Sequence, residues 1–188
     1  MDLIKAAACV TLALLAVSDL RSRRLPNFGV AAFAALYIIE AVIAGSTRAS
    51  FEAHAAAGAL SLAAAALLFR FGWLGGGDAK LAAAVFLWSG PACAMLVLLV
   101  VSVCGSFVGV SVLTVGLVMR SNLLGAMVTR LAWVAPTRGV PYGVALALGG
   151  IVAVVLQPSS GPHATLARLE PSLIHQLGFA LLHHARLA

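Results

Sequence analysis

Between Lys80 and Arg120 the chain carries no charged residue, and this long apolar run restricts the possible folds more than any other feature. Hydrophobic residues make up 62% and charged residues 10% of the 188 positions, and the mean hydropathy is +1.07. Soluble domains hold roughly 45–50% apolar and about 25% charged residues. The sequence therefore predicts an integral membrane protein.

The apolar segments are rich in Ala, Leu and Gly and do not alternate polar with apolar residues, which favours membrane helices over barrel strands. A helical span needs roughly 20 residues. We therefore expect an all-α, polytopic membrane bundle of about six transmembrane helices. These expected spans are Leu3–Ser18, Phe28–Ala44, Ala53–Arg70, Ala79–Met95, Val97–Met119 and Val140–Leu156. Because Ser89-Gly90-Pro91 interrupts the fourth span, residues 79–119 have an alternative interpretation as a short half-helix, a turn and one long helix.

The domain organisation follows from where the apolar segments end. Residues 1–156 are expected to form one transmembrane domain, with the first apolar run retained because its basic cluster follows it. Residues 157–188 are expected to form a C-terminal tail. Leucines recur in this tail at helical spacing, which predicts an amphipathic helix on the membrane surface.

Basic residues predict the orientation of the chain. Eight of the twelve Lys and Arg residues fall in the first, third and fifth loops or at their edges, and they are Arg21, Arg23, Arg24, Arg70, Lys80, Arg120, Arg130 and Arg138. Basic loops are retained in the cytoplasm. The two most distinctive acidic residues, Asp19 and Asp78, are therefore expected on the cytoplasmic side, with both chain termini outside.

These two aspartates are the best candidates for chemistry, because the chain has only six carboxylates and a charge near a bilayer is costly. Each also has a purely structural interpretation. Asp19 is spaced to form a solvated pair with Arg23, one helical turn later. Asp78 follows three glycines and is placed to cap the free N–H groups of residues 79–81.

If the two carboxyl groups converge, they form an acid–base pair suited to hydrolysis. Neighbouring aspartates do not both ionise easily, so they hold one proton between them. The ionised carboxylate takes a proton from the attacking water, and the protonated partner assists the carbonyl oxygen and the leaving amine. Glycines 75–77 leave room for an extended peptide and permit the φ values of a tight turn.

Cysteine and histidine give no competing site. Cys9, Cys93 and Cys104 lie apart inside expected spans, without the spacing of a metal site. We expect neither a metal nor a cofactor.

A family resemblance rests on Asp19, on the basic stretch and Leu25-Pro26-Asn27 after it, and on Gly75-Gly76-Gly77-Asp78-Ala79-Lys80 after the third span. Together these residues resemble the type IV prepilin peptidases, which are GxGD-type intramembrane aspartic endopeptidases. Val140-Pro141-Tyr142-Gly143 adds support for the small class that serves Flp, or tight-adherence, pili.

The resemblance implies that Asp19 and Asp78 are catalytic and that Gly75 and Gly77 shape the Asp78 turn. Lys80 is expected either to stabilise charge near the aspartates or to anchor the loop to lipid phosphates. The implied enzyme sits in the bacterial inner membrane and removes the leader peptide of prepilins and pseudopilins at the cytoplasmic face. It binds no nucleic acid, and its oligomeric state is left open.

Longer members of that family add methyltransferase activity and carry an N-terminal insertion with paired cysteines, which we do not find here. We therefore expect a peptidase only. Two other classes of function remain open at this point. One is a small transport or channel subunit whose aspartates line an ion path. The other is a non-catalytic assembly protein of a pilus or secretion apparatus.

Overall fold

The computed structural model describes residues 3–120 and 142–157, which form five helices and, within those ranges, no strand. The helices are α1 (Leu3–Ser22), α2 (Asn27–Ile43), α3 (Arg48–Arg70), α4 (Gly76–Arg120) and α5 (Tyr142–Leu156). The expectation of an all-α chain is thus confirmed for the described residues. The expected amphipathic helix in the tail lies outside them.

Among the residues that the structure describes, three helical stretches are long and apolar enough to cross a membrane: Leu3–Ser22, Arg48–Arg70 and Gly76–Thr114. Helices α2 and α5 are apolar but shorter. Large apolar side chains such as Leu14, Leu60 and Phe107 are more than 60% exposed, which suits helices that face lipid. The fold is therefore consistent with a membrane helical bundle, while the expected number of about six spans is not confirmed.

Helix α4 is broken at Gly90, whose φ of 56° and ψ of −177° are not helical. Pro91 follows at once, and a proline has no N–H to continue the helical hydrogen bonds. The break divides α4 into a short segment, residues 76–89, and a long one, residues 91–120. This agrees with the alternative sequence interpretation of a half-helix, a turn and one long helix.

The first segment of α4 runs in the same direction as α5. A Cβ atom added to Gly150 would lie 3.0 Å from Val85 Cγ2, and the Gln157 side-chain amide donates to the Trp88 carbonyl oxygen at 2.7 Å. Residue numbers therefore increase in the same direction along this segment and along α5, so the two are parallel.

The second segment of α4 runs in the opposite direction along α5. Val97 lies against Gly149, whereas Gly105 lies opposite Ala145, so later residues of α4 meet earlier residues of α5. The chain therefore reverses at Gly90.

Two tight connections bring the aspartates to one end of the bundle, which we call the site end. Arg23 comes directly after α1 and has a left-handed φ of 53°. Gly72 lies in the connection after α3 and has a φ of 74°. A left-handed residue commonly stops a helix and turns the chain back. Gly77 of α4 packs on Leu25 of the connection after α1, so Asp19 near the end of α1 and Asp78 near the start of α4 lie at the same end.

Helix α5 packs between α1 and α4, with most of its residues buried. Its glycines allow this close packing, because a Cβ atom at Gly150 would lie 2.9 Å from Leu12 Cδ1 of α1. Small residues commonly let membrane helices approach in this way. This packing places the first turn of α5 at the site end, where Gly143 lies against Asp19 of α1.

Candidate active site

Asp19 lies inside α1 and is only 5% exposed. The interpretation of Asp19 as a solvated charge is therefore wrong: α1 continues past the expected end at Ser18, and α5 covers the side chain. Arg23 still interacts electrostatically with the carboxyl group, as its spacing predicts. The Asp19 Oδ2 atom is buried and has no hydrogen-bond partner within residues 3–120 and 142–157.

The first turn of α5 packs directly on Asp19. A Cβ atom at Gly143 would lie 2.7 Å from Asp19 Oδ2 and 2.8 Å from its Cγ, so only glycine fits there without displacing the carboxyl group. The backbone N–H groups of Gly143 and Val144 act as hydrogen-bond donors to the carboxyl group. These N–H groups have no partner within their own helix, because they belong to its first turn.

Sequence reasoning assigned Gly143 no role at the site. The available signal was its place in Val140-Pro141-Tyr142-Gly143, just before the last apolar run. A glycine at a helix start is consistent with close approach by another group, but nothing local identifies that group as Asp19.

Asp78 is the third residue of α4, and its side chain turns back toward Gly75. The backbone N–H of Gly75 is a hydrogen-bond donor to the carboxyl group. An acidic residue in the third helical position often reaches back in this way to the residue before the helix. The carboxyl group therefore engages the N–H that precedes the helix, and not the N–H groups of residues 79–81 considered from the sequence.

The structure brings the two carboxyl groups together. Asp19 and Asp78 come from different helices, yet their carboxyl groups are close enough to repel each other when both are charged. Two carboxyl groups that interact in this way do not ionise together as easily as each would alone. If one of the two groups is ionised and the other protonated, the pair offers both a base and an acid.

The glycines before Asp78 act through close packing and not through unusual backbone angles. None of Gly75, Gly76 and Gly77 has a positive φ, so the expectation that unusual backbone angles require these glycines is wrong. A Cβ atom at Gly75 would lie 2.8 Å from Asp78 Oδ2, and one at Gly77 would lie 3.1 Å from Leu25 Cβ. The left-handed turn before Asp78 is made instead by Gly72.

Lys80 links the start of α4 to the start of α2. Its Nζ atom donates to Asn27 Oδ1 at 3.0 Å. Asn27 makes no capping hydrogen bond for α2, because the N-cap residue of that helix is Pro26. The pair therefore connects the GxGD segment with the loop that follows Asp19, a role that neither sequence interpretation of Lys80 included.

Within the described ranges, no group of three His, Cys, Asp or Glu residues is arranged to hold a metal ion. The chemically distinctive feature of this end is thus the pair of carboxyl groups, surrounded by backbone N–H groups, glycines and apolar side chains.

Comparison with known families gives a match over residues 6–110 to the model of the type IV leader peptidase family. No curated protein and no solved structure matches the chain significantly. The matched region covers more than half of the chain and includes both aspartates, the glycines before Asp78 and Lys80. The chain therefore belongs to the type IV leader peptidase family, a family of peptidases.

Proposed function

We propose that this chain is a membrane-embedded aspartic endopeptidase that removes the leader peptide from Flp-like prepilins and pseudopilins at the cytoplasmic membrane face. We also propose that it lacks methyltransferase activity. The observation that carries the proposal is the electrostatic interaction between the Asp19 and Asp78 carboxyl groups at one end of the bundle. Membership in a leader peptidase family supports the same conclusion.

The chemistry needs one ionised and one protonated carboxyl group. The ionised aspartate takes a proton from water while the water oxygen forms a bond to the scissile carbonyl carbon. The protonated aspartate donates a hydrogen bond to the carbonyl oxygen, and its proton passes to the amine nitrogen as the C–N bond breaks. Two interacting aspartates meet both needs at once.

The surroundings of Asp78 favour an extended peptide as substrate. Gly75 is exposed and Gly76 and Gly77 are partly exposed, so no side chain from these residues blocks the approach of a peptide backbone. Leu25 packs over Gly77 and supplies an apolar contact at the same place. These features suit a peptide segment that reaches the site from the membrane surface.

The positive residues support a cytoplasmic site. Arg21, Arg23, Arg24, Arg70 and Lys80 all belong to the site end of their helices or to its loops. Basic segments at membrane boundaries are retained in the cytoplasm. The leader peptide of a prepilin is removed on that side before the mature apolar segment is assembled.

Co-expression with a Flp-type prepilin tests the proposal. Asp19→Asn and Asp78→Asn keep the side-chain shape but remove the acid–base groups, so each is expected to slow leader removal by roughly 10²–10⁴-fold. Conversion of precursor to mature pilin is followed on a gel. Mass spectrometry of the mature pilin is expected to find a free, unmethylated N-terminal amine.

Glu52→Gln is the matched control, because it also neutralises a carboxylate but affects an exposed residue paired with Arg48 at the opposite end. It is expected to cleave at the wild-type rate. Normal processing by both aspartate variants would show that the peptidase proposal is wrong. Aspartate-dependent conductance without cleavage would indicate a pore, and loss of piliation only on deletion of the chain would indicate an assembly protein.

A further inference from the structure

The two aspartates have unequal surroundings. Asp19 receives the backbone N–H groups of Gly143 and Val144 and lies near the positive charge of Arg23. Asp78 receives one backbone N–H group, from Gly75, and lies near the negative charge of Asp19. Burial has the largest effect on both groups and disfavours the charged form of each. Donors and positive charge offset this effect at Asp19, whereas the negative charge of Asp19 adds to it at Asp78.

The donors to Asp19 come from the start of a helix, where the free N–H groups and the aligned peptide dipoles both attract negative charge. Helix α5 has its first residue at Tyr142, so Gly143 and Val144 lie in that first turn. The absence of a side chain on Gly143 allows the Asp19 carboxyl group to approach the turn directly.

We propose that the first turn of α5, through the N–H groups of Gly143 and Val144, makes Asp19 the ionised member of the pair and leaves Asp78 to carry the shared proton. Gly143 and Val144 are then positioning residues, which act through Asp19. This inference rests on the proposed peptidase function and adds the assignment of acid and base.

The assignment gives each carboxyl group one role in the reaction. Asp19, as the ionised member, takes the proton from the attacking water. Asp78 gives its proton to the leaving amine. After the peptide bond breaks, Asp19 is protonated and Asp78 is ionised, and transfer of one proton from Asp19 to Asp78 restores the starting state.

Replacing Val144 by proline tests the inference, because proline lacks the N–H group and is tolerated in the first turn of a helix. One hydrogen bond to a charged group is lost, so Val144→Pro is expected to lower kcat by about tenfold or more while KM changes little. The remaining charged groups that act on Asp19, Arg23 and Asp78, are unchanged. Because Asp19 then ionises less readily, the acid limb of the pH–activity profile is expected to move up by about one pH unit.

Tyr142→Pro is the matched control, since the Tyr142 N–H is not among the donors to Asp19 and its side chain is exposed. Its kcat and pH profile are expected to match those of the wild type. A wild-type profile for Val144→Pro, or an equal loss in both proline variants, would overturn the inference.

A second variant covers the case in which Val144→Pro does not yield folded protein, as judged by a monodisperse peak in detergent. Gly143→Ala introduces a Cβ atom that displaces the Asp19 carboxyl group, whereas Gly109→Ala introduces one in open space. Gly143→Ala alone is expected to lower kcat by about tenfold or more and move the acid limb to higher pH; wild-type behaviour would overturn the inference. Failure of the peptidase proposal itself is distinguished by normal cleavage in Asp19→Asn and Asp78→Asn.

Discussion

Each aspartate of the candidate site lies against a glycine. A Cβ atom at Gly143 would meet the Asp19 carboxyl group, and a Cβ atom at Gly75 would meet the Asp78 carboxyl group. Both glycines also supply a backbone N–H to the carboxyl group that they face. Because glycine has no Cβ atom, the backbone at these two positions can approach a carboxylate closely enough for its N–H group to act as a donor.

This arrangement predicts that Gly75→Ala impairs activity without a comparable loss of stability. The new Cβ atom meets Asp78 Oδ2, which is the mobile end of a side chain and moves away at little cost in folding free energy. A displacement of a catalytic group by about 1 Å lowers activity by on the order of 100-fold. The rate of prepilin cleavage and the melting temperature in detergent are measured together.

Gly109→Ala serves as the control for the added methyl group, because nothing lies within 4 Å of the new atom. It is expected to retain the wild-type cleavage rate. A wild-type cleavage rate in Gly75→Ala would contradict the role given to Gly75, and a large fall in melting temperature would indicate that its contribution is to folding.

At the scale of single residues, the sequence singled out two carboxylates that interact electrostatically in the structure. Their catalytic role stays a prediction. The torsional reason for the glycines before Asp78 is wrong, because these glycines have no positive φ and pack closely instead. The Lys80 contact with Asn27 was not foreseen, since it joins helices whose relative position the local sequence does not encode.

At the scale of helices, the break in α4 at Gly90 has the largest effect on the fold. The imidazole ring of His54 lies over Gly90, and its Nδ1 atom is 2.9 Å from the Leu87 carbonyl oxygen. The Gly90 torsion angles lie in a region that is nearly restricted to glycine. Backbone torsion and the histidine ring thus both require a residue without a side chain at the turn.

We predict that Gly90→Ala destabilises the protein by about 3 kcal/mol, from backbone strain and from overlap of the new Cβ atom with the His54 ring. The free energy of unfolding is measured by denaturant titration in detergent. In a His54→Ala background the same substitution is expected to cost only about 1–2 kcal/mol, because the backbone strain remains and the overlap is gone.

An equal cost of Gly90→Ala in both backgrounds would show that the ring contact contributes nothing. Gly109→Ala, in the second segment of the same helix, is expected to be neutral or slightly stabilising, because alanine favours a helix by up to about 1 kcal/mol over glycine. The contrast separates the effect of the turn from the general effect of adding a methyl group to α4.

At the scale of the whole molecule, the site depends on the position of α5 between α1 and α4. Its glycines pack against α1 and against both segments of α4, and this packing holds its first turn beside Asp19. Lys5 of α1 donates to the Gln157 carbonyl oxygen at 2.7 Å, which fixes the other end of α5. The two ends together set the position of α5 along α1, and with it the contact between Gly143 and Asp19.

The orientation of the bundle in the membrane is a prediction for the whole molecule. Gly45 lies in the connection between α2 and α3, at the end opposite the site, whereas Trp73 is 72% exposed in the connection before α4, at the site end. Single cysteines are introduced at these positions in a background without Cys9, Cys93 and Cys104. In intact spheroplasts, a membrane-impermeant maleimide is expected to label Gly45→Cys and not Trp73→Cys. The reverse pattern would place the site end outside and contradict the cytoplasmic assignment.

The sequence by itself determined the membrane environment, the helical class, the family and the two carboxylates. These properties follow from composition and from short motifs, which depend on neighbours along the chain. The choice between two spans and one interrupted helix stayed open, because Ser89-Gly90-Pro91 is compatible with either.

Only the tertiary structure decided that Asp19 is buried, that α5 supplies its backbone donors and that Gly143 belongs to the site. Each of these facts depends on contact between segments far apart in the chain. Such contacts are set by how helices pack, where one added methyl group is enough to prevent an approach. Short sequence motifs therefore pointed to Asp19 and Asp78, and helix packing determined which of the two has surroundings that favour a negative charge.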